Sequence, residues 1–176
     1  MVDKTPSEVT LAKMADTLRT IPLFHAFRAQ DDMLQALGKM MVETTVPSGT
    51  WLLREGEMGQ SMFILCEGEV EVTKTTLEDE QYTVAALRGA ENAFFGELAL
   101  LDEDRRSASI RSVTECVVLE LTREDFEAFG NRHPDVALSI MRELAKIVCR
   151  RFRATNRDVV RLFSALVSEV SQQVIE

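Results

Sequence analysis

Between Val42 and Leu121 the chain strings together short apolar or alternating runs separated by glycine-bearing turns, and no other feature limits the fold as much. The runs are Val42–Val46, Thr50–Arg54, Ser61–Cys66, Glu69–Thr75, Gln81–Arg88, Ser107–Val113 and Cys116–Leu121. Pro47-Ser48-Gly49, Gly56, Gly59, Glu67-Gly68 and Gly89 mark turns. Glu69-Val70-Glu71-Val72 alternates with period two, as a half-exposed strand does. So many short strands within about 80 residues predict a small antiparallel barrel or roll.

On either side of this stretch the apolar period is helical. Thr5-Pro6-Ser7-Glu8 reads as a helix start, with Thr5 capping, Pro6 in the first helical position and Glu8 reaching back. Leu11, Met14, Leu18 and Ile21 then recur at helical spacing until Pro22 ends or kinks the element. A second helix is predicted over Asp31–Met41, and a short one over Asp125–Asn131. Pro134 opens a long helix with Asp135 in its first turn, and no proline or glycine follows to Glu176. The predicted class is α+β: an antiparallel β-roll of the double-stranded β-helix or jelly-roll type, flanked by N-terminal helices and a long C-terminal helix. The expected divisions are helices over 1–41, the roll over 42–121 and C-terminal helices over 122–176.

Several function classes are disfavoured by composition. A net charge of −9 gives no hint of the basic face that non-specific nucleic-acid binding needs. No run of about 18 apolar residues is present for a membrane span, and Met1–Thr10 is too polar for a signal peptide. Cys66, Cys116 and Cys149 are far apart and odd in number, so they read as buried thiols in a reducing cytoplasm. With His25 and His133 as the only histidines, neither a zinc nor a haem site is expected, and no cofactor is. Trp51, Met62 and Phe63 are read as core.

The informative chemistry lies in residues 95–109, where Phe95-Gly96-Glu97-Leu98-Ala99-Leu100-Leu101 interrupts the strands with a helix-prone run over Glu97–Leu101. Gly96 lets a ligand approach the backbone closely. The N–H groups of Leu98 and Ala99, at the start of the run, suit an anion. Arg106 follows where the chain folds back, and its guanidinium can hold two phosphate oxygens at once. Ser107 adds a hydroxyl donor. Glu97 accepts only, so its natural partner is a sugar hydroxyl rather than a phosphate. One phosphate clamp beside one hydroxyl acceptor fits a nucleotide with a single phosphate. A triphosphate site of the glycine-loop, Lys-Ser/Thr type is absent from the sequence.

Phe95-Gly96-Glu97-Leu98-Ala99-Leu100-Leu101 followed by Arg106-Ser107-Ala108 resembles the phosphate-binding cassette of cyclic nucleotide-binding domains. That family includes protein kinase A regulatory subunits, cyclic nucleotide-gated channels and the bacterial catabolite activator protein. Ile21-Pro22-Leu23-Phe24 and the stretch from Gly56 through Val72 are similar to two further blocks of the family, in the right order. The resemblance implies that Glu97 holds the ribose 2′-hydroxyl, Arg106 and Ser107 the cyclic phosphate, and the Leu98 and Ala99 backbone its oxygens. It also implies that Thr155 and Asn156, in a stretch similar to the catabolite activator's dimer helix, contact the base. The implied ligand is cyclic AMP, with cyclic GMP as the other candidate.

Ala145, Val148, Phe152, Thr155, Val159, Leu162 and Leu166 follow the steps of a coiled-coil seam. Val160, Phe163, Val167, Val170 and Val174 form a second apolar stripe. The expectation is a homodimer through this helix, with folding back onto the roll as the competing arrangement. Too few residues follow Asn156 for a helix-turn-helix, so no nucleic-acid partner is expected, nor a membrane. The expected whole is a stand-alone cytoplasmic cyclic nucleotide receptor, not an enzyme, whose C-terminal helix passes occupancy to an effector the sequence does not name. The rivals are a regulatory domain of a longer kinase, channel or transcription factor, and a degenerate domain kept for protein interaction.

Overall fold

The computed structural model describes residues 8–76 and 78–173, with side chains over 11–76 and 78–168. The helix start read at Thr5-Pro6-Ser7 lies outside these residues. The chain divides at Ile140/Met141 into two units.

The first unit opens with α1 (Glu8–Thr20), a 3-10 turn (Pro22–Phe27) and α2 (Asp31–Gly38). Pro22 takes the first position of the 3-10 turn, where its missing N–H costs nothing. α2 stops at Gly38, short of the Met41 that the periodicity suggests. Strands β1 (Val42–Val46), β2 (Trp51–Leu53), β3 (Ser61–Glu67), β4 (Glu69–Thr75) and β5 (Gln81–Arg88) follow, then β6 (Phe94–Phe95), β7 (Ser109–Ser112) and β8 (Cys116–Thr122). They form two four-stranded antiparallel sheets, ordered β1-β8-β3-β6 and β2-β7-β4-β5. This is the predicted β-roll flanked by helices, and the sequence runs fall on its strands. β6 has no counterpart among those runs, because two residues are too few to show a period. α3 (Arg123–Arg132) packs against β8, and α4 (Pro134–Gln173) begins before the unit boundary.

Both faces of β3 and β8 are covered. Leu65, Cys116 and Val118 point into the roll with Val46, Leu53, Val70, Phe95 and Ile110. Met62, Ile64, Leu119 and Leu121 alternate with them and are almost completely buried on the opposite face. Each such side chain contributes about 1.5–3 kcal/mol on leaving water. Phe63 stacks on Phe95 at 5.5 Å and joins the roll core, and Met62 is buried, as read. Trp51 is a correction. It is only half-buried, with the guanidinium carbons of Arg54 and Arg111 5.1 Å and 5.5 Å from its ring centre. A short strand beside two arginines lends it cation–π partners instead of a core. The cysteines need correcting too: Cys116 is buried and Cys66 partly so, but Cys149 is exposed on α4. Among the described residues no helix is long and apolar enough to cross a membrane.

The described residues of the second unit are the remainder of α4. Phe152, Val159, Val160, Leu162, Phe163 and Leu166 are each more than half exposed on it. The side chains of Val170 and Val174 lie outside the described residues.

Candidate functional site

The segment between β6 and β7 begins with Gly96 in the left-handed region, at φ 71°. A Cβ there would also stand 2.9 Å from Arg106 Nη1 and 3.1 Å from the Ser61 carbonyl, so glycine meets both a conformational and a steric demand. Glu97–Leu100 then forms one 3-10 turn, not the longer helical run suggested by the sequence. That tighter winding changes the donor set. The Ala99 N–H donates to the Gly96 carbonyl at 3.1 Å, so it is engaged within the turn and does not stand open as read. Leu98 N–H, nearer the start, has no acceptor within the turn, and the Leu98 side chain is exposed.

Arg106 returns to this turn from the other side. Its Nη1 donates to the same Gly96 carbonyl at 3.1 Å. Its backbone is pinned by the loop after β2: Arg106 N–H donates to the Glu57 carbonyl at 2.8 Å, and Gly56 N–H donates to the Arg106 carbonyl at 2.9 Å. Arg105 reinforces the same junction by donating from Nη1 to the Gly56 carbonyl at 2.6 Å. Gly59 completes the seat. A Cβ on Gly59 would lie 1.8 Å from Arg106 Nε and 2.2 Å from Cζ, so the guanidinium occupies the space that a side chain would take. Burial lowers the Arg106 pKa, and the carboxylates of Glu120 and Glu97 act against that shift. The group stays a cation, since arginine does not give up its proton in proteins.

Glu97 is 2% exposed, a buried carboxylate one residue from the glycine that Arg106 grips. The structure therefore brings Gly96, Glu97, Leu98, Ala99 and Arg106 into one cluster. Ser107 adjoins it and is exposed. Thr155 and Asn156 belong to the second unit, where both are exposed on α4.

Two contributors escaped the sequence reading. Gly59 looked like one more turn glycine, and its steric role depends on where Arg106 lies. Glu120 follows Cys116 and Val118 at alternate positions of β8 and pairs in register with Phe63, so it projects from the inward face of the roll. An ionisable residue at an inward strand position was the available signal. Among the described residues no group of three or more His, Cys, Asp or Glu side chains is placed to hold a metal ion.

A cation held beside a left-handed glycine, next to a buried acceptor carboxylate, suits an anionic group attached to a hydroxylated ring. Comparison with known proteins agrees in kind. The cyclic nucleotide-binding domain family model matches residues 43–133, more than half of the chain. The chain is 34% identical over 138 residues to the cyclic AMP receptor protein of Thermus thermophilus, covering 78% of this chain and 60% of that one. It is 38% identical over 95 residues to a cyclic nucleotide-gated potassium channel of Rhizobium etli, covering 54% and 24% respectively. The regulatory domain of Toxoplasma gondii protein kinase A, solved with cyclic AMP, superposes with a TM-score of 0.64 at 29% identity, covering 72% of this chain and 47% of that one. The chain thus spans less than two thirds of each relative's length. Roll, cassette turn and sequence match point the same way, and the chain belongs to the cyclic nucleotide-binding domain family.

Proposed function

We propose that this chain is a cyclic nucleotide receptor that binds cyclic AMP in preference to cyclic GMP and has no catalytic activity of its own. The observation that carries the reading is the Arg106 guanidinium, seated over Gly59 and bonded to the Gly96 carbonyl beside the buried Glu97. Arg106 and Ser107 take the cyclic phosphate with help from the Leu98 N–H. Glu97 takes the ribose 2′-hydroxyl. Ala99 N–H contributes only if the turn opens its bond to Gly96. Thr155 and Asn156 meet the base. The preference for cyclic AMP rests on the likeness of Arg106-Ser107-Ala108 and of the Thr155-Asn156 pair to the bacterial cyclic AMP receptors.

In this reading residues 42–121, with the cassette at 95–109, are the sensor, and residues 122–176 dimerise and signal. The exposed apolar side chains of α4 support a homodimer, since a helix this apolar is poorly suited to water alone. Ligand affinity that differs between two arrangements of the C-terminal segment transmits occupancy to a separate cytoplasmic effector. A second reading is favoured by one observation, the 60% and 24% shares of its relatives that the chain spans: it is the sensor module of a longer regulator.

Calorimetric titration with cyclic AMP, cyclic GMP and linear 5′-AMP tests the proposal. Both cyclic nucleotides are expected to bind, with cyclic AMP ahead by about ten-fold, the worth of one or two neutral hydrogen bonds. The linear nucleotide is expected to be far weaker. Absence of heat with either cyclic nucleotide refutes the reading, and equal or tighter cyclic GMP binding reverses the choice of base.

A further inference from the structure

Arg123 is the first residue of α3, the helix end where a cation is least favoured because the unpaired N–H groups already carry positive partial charge. Its side chain is nevertheless only 15% exposed. Nε donates to the Ala99 carbonyl of the cassette turn at 2.7 Å. Nη1 pairs with Glu103, in the loop after that turn, at 3.0 Å, although the Glu103 side chain is 87% exposed. Nη2 is buried with no hydrogen-bond partner. The residue's own N–H donates to the Gln60 carbonyl at 2.6 Å, next to the Gly59 seat of Arg106. α3 is tightly capped here: the Thr122 hydroxyl oxygen accepts from the Asp125 N–H at 3.0 Å and lies 2.6 Å from the Asp125 carboxylate. Whatever moves Arg123 moves a well-formed first turn.

We propose that Arg123 is a positioning residue that ties the cassette turn to the N-terminus of α3, so that ligand binding at the cassette is felt by that helix. This rests on the cyclic nucleotide reading for its ligand, but the contacts of Arg123 lie wholly within the chain. The buried bond to Ala99 is its working part, and the Glu103 pair is peripheral because an exposed ion pair contributes little. The unpaired Nη2 marks an arrangement that is not fully satisfied.

Amide hydrogen exchange of the full chain, followed by NMR with and without cyclic AMP, tests the tie. Arg123→Met removes the charge and keeps the apolar stem; Arg123→Lys keeps the charge with a single ammonium; Glu103→Gln removes only the outer pair. In the empty chain, Arg123→Met is expected to speed exchange at Leu101 and Asp102, which both donate to the Leu98 carbonyl, by about ten-fold, as a local opening does. Glu103→Gln should leave those rates nearly unchanged, and Arg123→Lys should fall between. On adding cyclic AMP, the wild type should change protection in both the cassette and α3, whereas Arg123→Met should respond in the cassette alone. If Arg123→Met fails to fold, Arg123→Lys serves for both comparisons. Unchanged cassette exchange in the empty variant overturns the proposal, and so does a wild-type response of α3. A wild type that binds no cyclic nucleotide refutes the functional reading instead, and the empty-chain comparison still decides the tie.

Discussion

Replacing Arg106 by alanine separates ligand binding from folding. The guanidinium donates from Nη1 to the Gly96 carbonyl at 3.1 Å and has further N–H donors to offer a phosphate. A two-oxygen clamp is two charge-assisted bonds, each worth about 1.5–3 kcal/mol, so about 3 kcal/mol is the low end of the loss. That is roughly a 150-fold rise in Kd. The neighbouring carboxylates push the same way. Glu97 and Glu120 both act electrostatically on Arg106, and removing its charge would leave an anionic ligand to enter beside these two carboxylates without that cation. Stability should respond far less. The variant loses one hydrogen bond of about 1 kcal/mol but no longer has to hold a partly buried cation away from water. Titration calorimetry at fixed ionic strength, paired with thermal melting, reads both quantities. Arg106→Lys, which keeps the charge without the planar fork, should lie between wild type and alanine. A Kd for Arg106→Ala within about three-fold of wild type, a difference below 1 kcal/mol, would refute the assignment of Arg106 as the clamp.

Glu97→Gln should weaken cyclic AMP by about ten-fold, the loss of one charged hydrogen bond, and barely affect a 2′-deoxy analogue measured alongside; equal losses would mean that Glu97 acts through the fold. Gly59→Val places a side chain where the Arg106 guanidinium lies, so binding should fall by about ten-fold or more as the clamp is displaced. Because Gly59 is not in the left-handed region, the melting temperature should change little, and full affinity in this variant would disprove the seat. Burial, with help from Glu43 and Glu67, pushes the Cys66 thiol up to about 11, so its nucleophilic thiolate forms only as the pH approaches that value. Alkylation followed by mass spectrometry at pH 8 should therefore modify the exposed Cys149 first and leave Cys66 largely intact.

The roll was legible in the sequence because its causes are local. Period-two alternation over Glu69–Thr75 and glycine at turns such as Gly56 and Gly68 act within a few residues, and β1, β4 and β5 begin and end where the pattern does. The charged members of the cassette were legible for a related reason: Glu97 and Arg106 are residue types whose chemistry is narrow, set in a short stretch after Gly96. What the tertiary structure decided is everything that depends on residues distant in the chain. The 3-10 winding of Glu97–Leu100 engages the Ala99 N–H, a donor that the sequence left open. Gly59 became a seat only once the loop after β2 had closed onto Arg106, since an absent Cβ has meaning only against the atom that fills its place. Trp51 found two arginines rather than the core, and the Arg123 side chain, which the sequence reading passed over, reached the Ala99 carbonyl. Local propensity fixes which face a residue presents, while the partner on that face is set by how the sheets and loops close on one another.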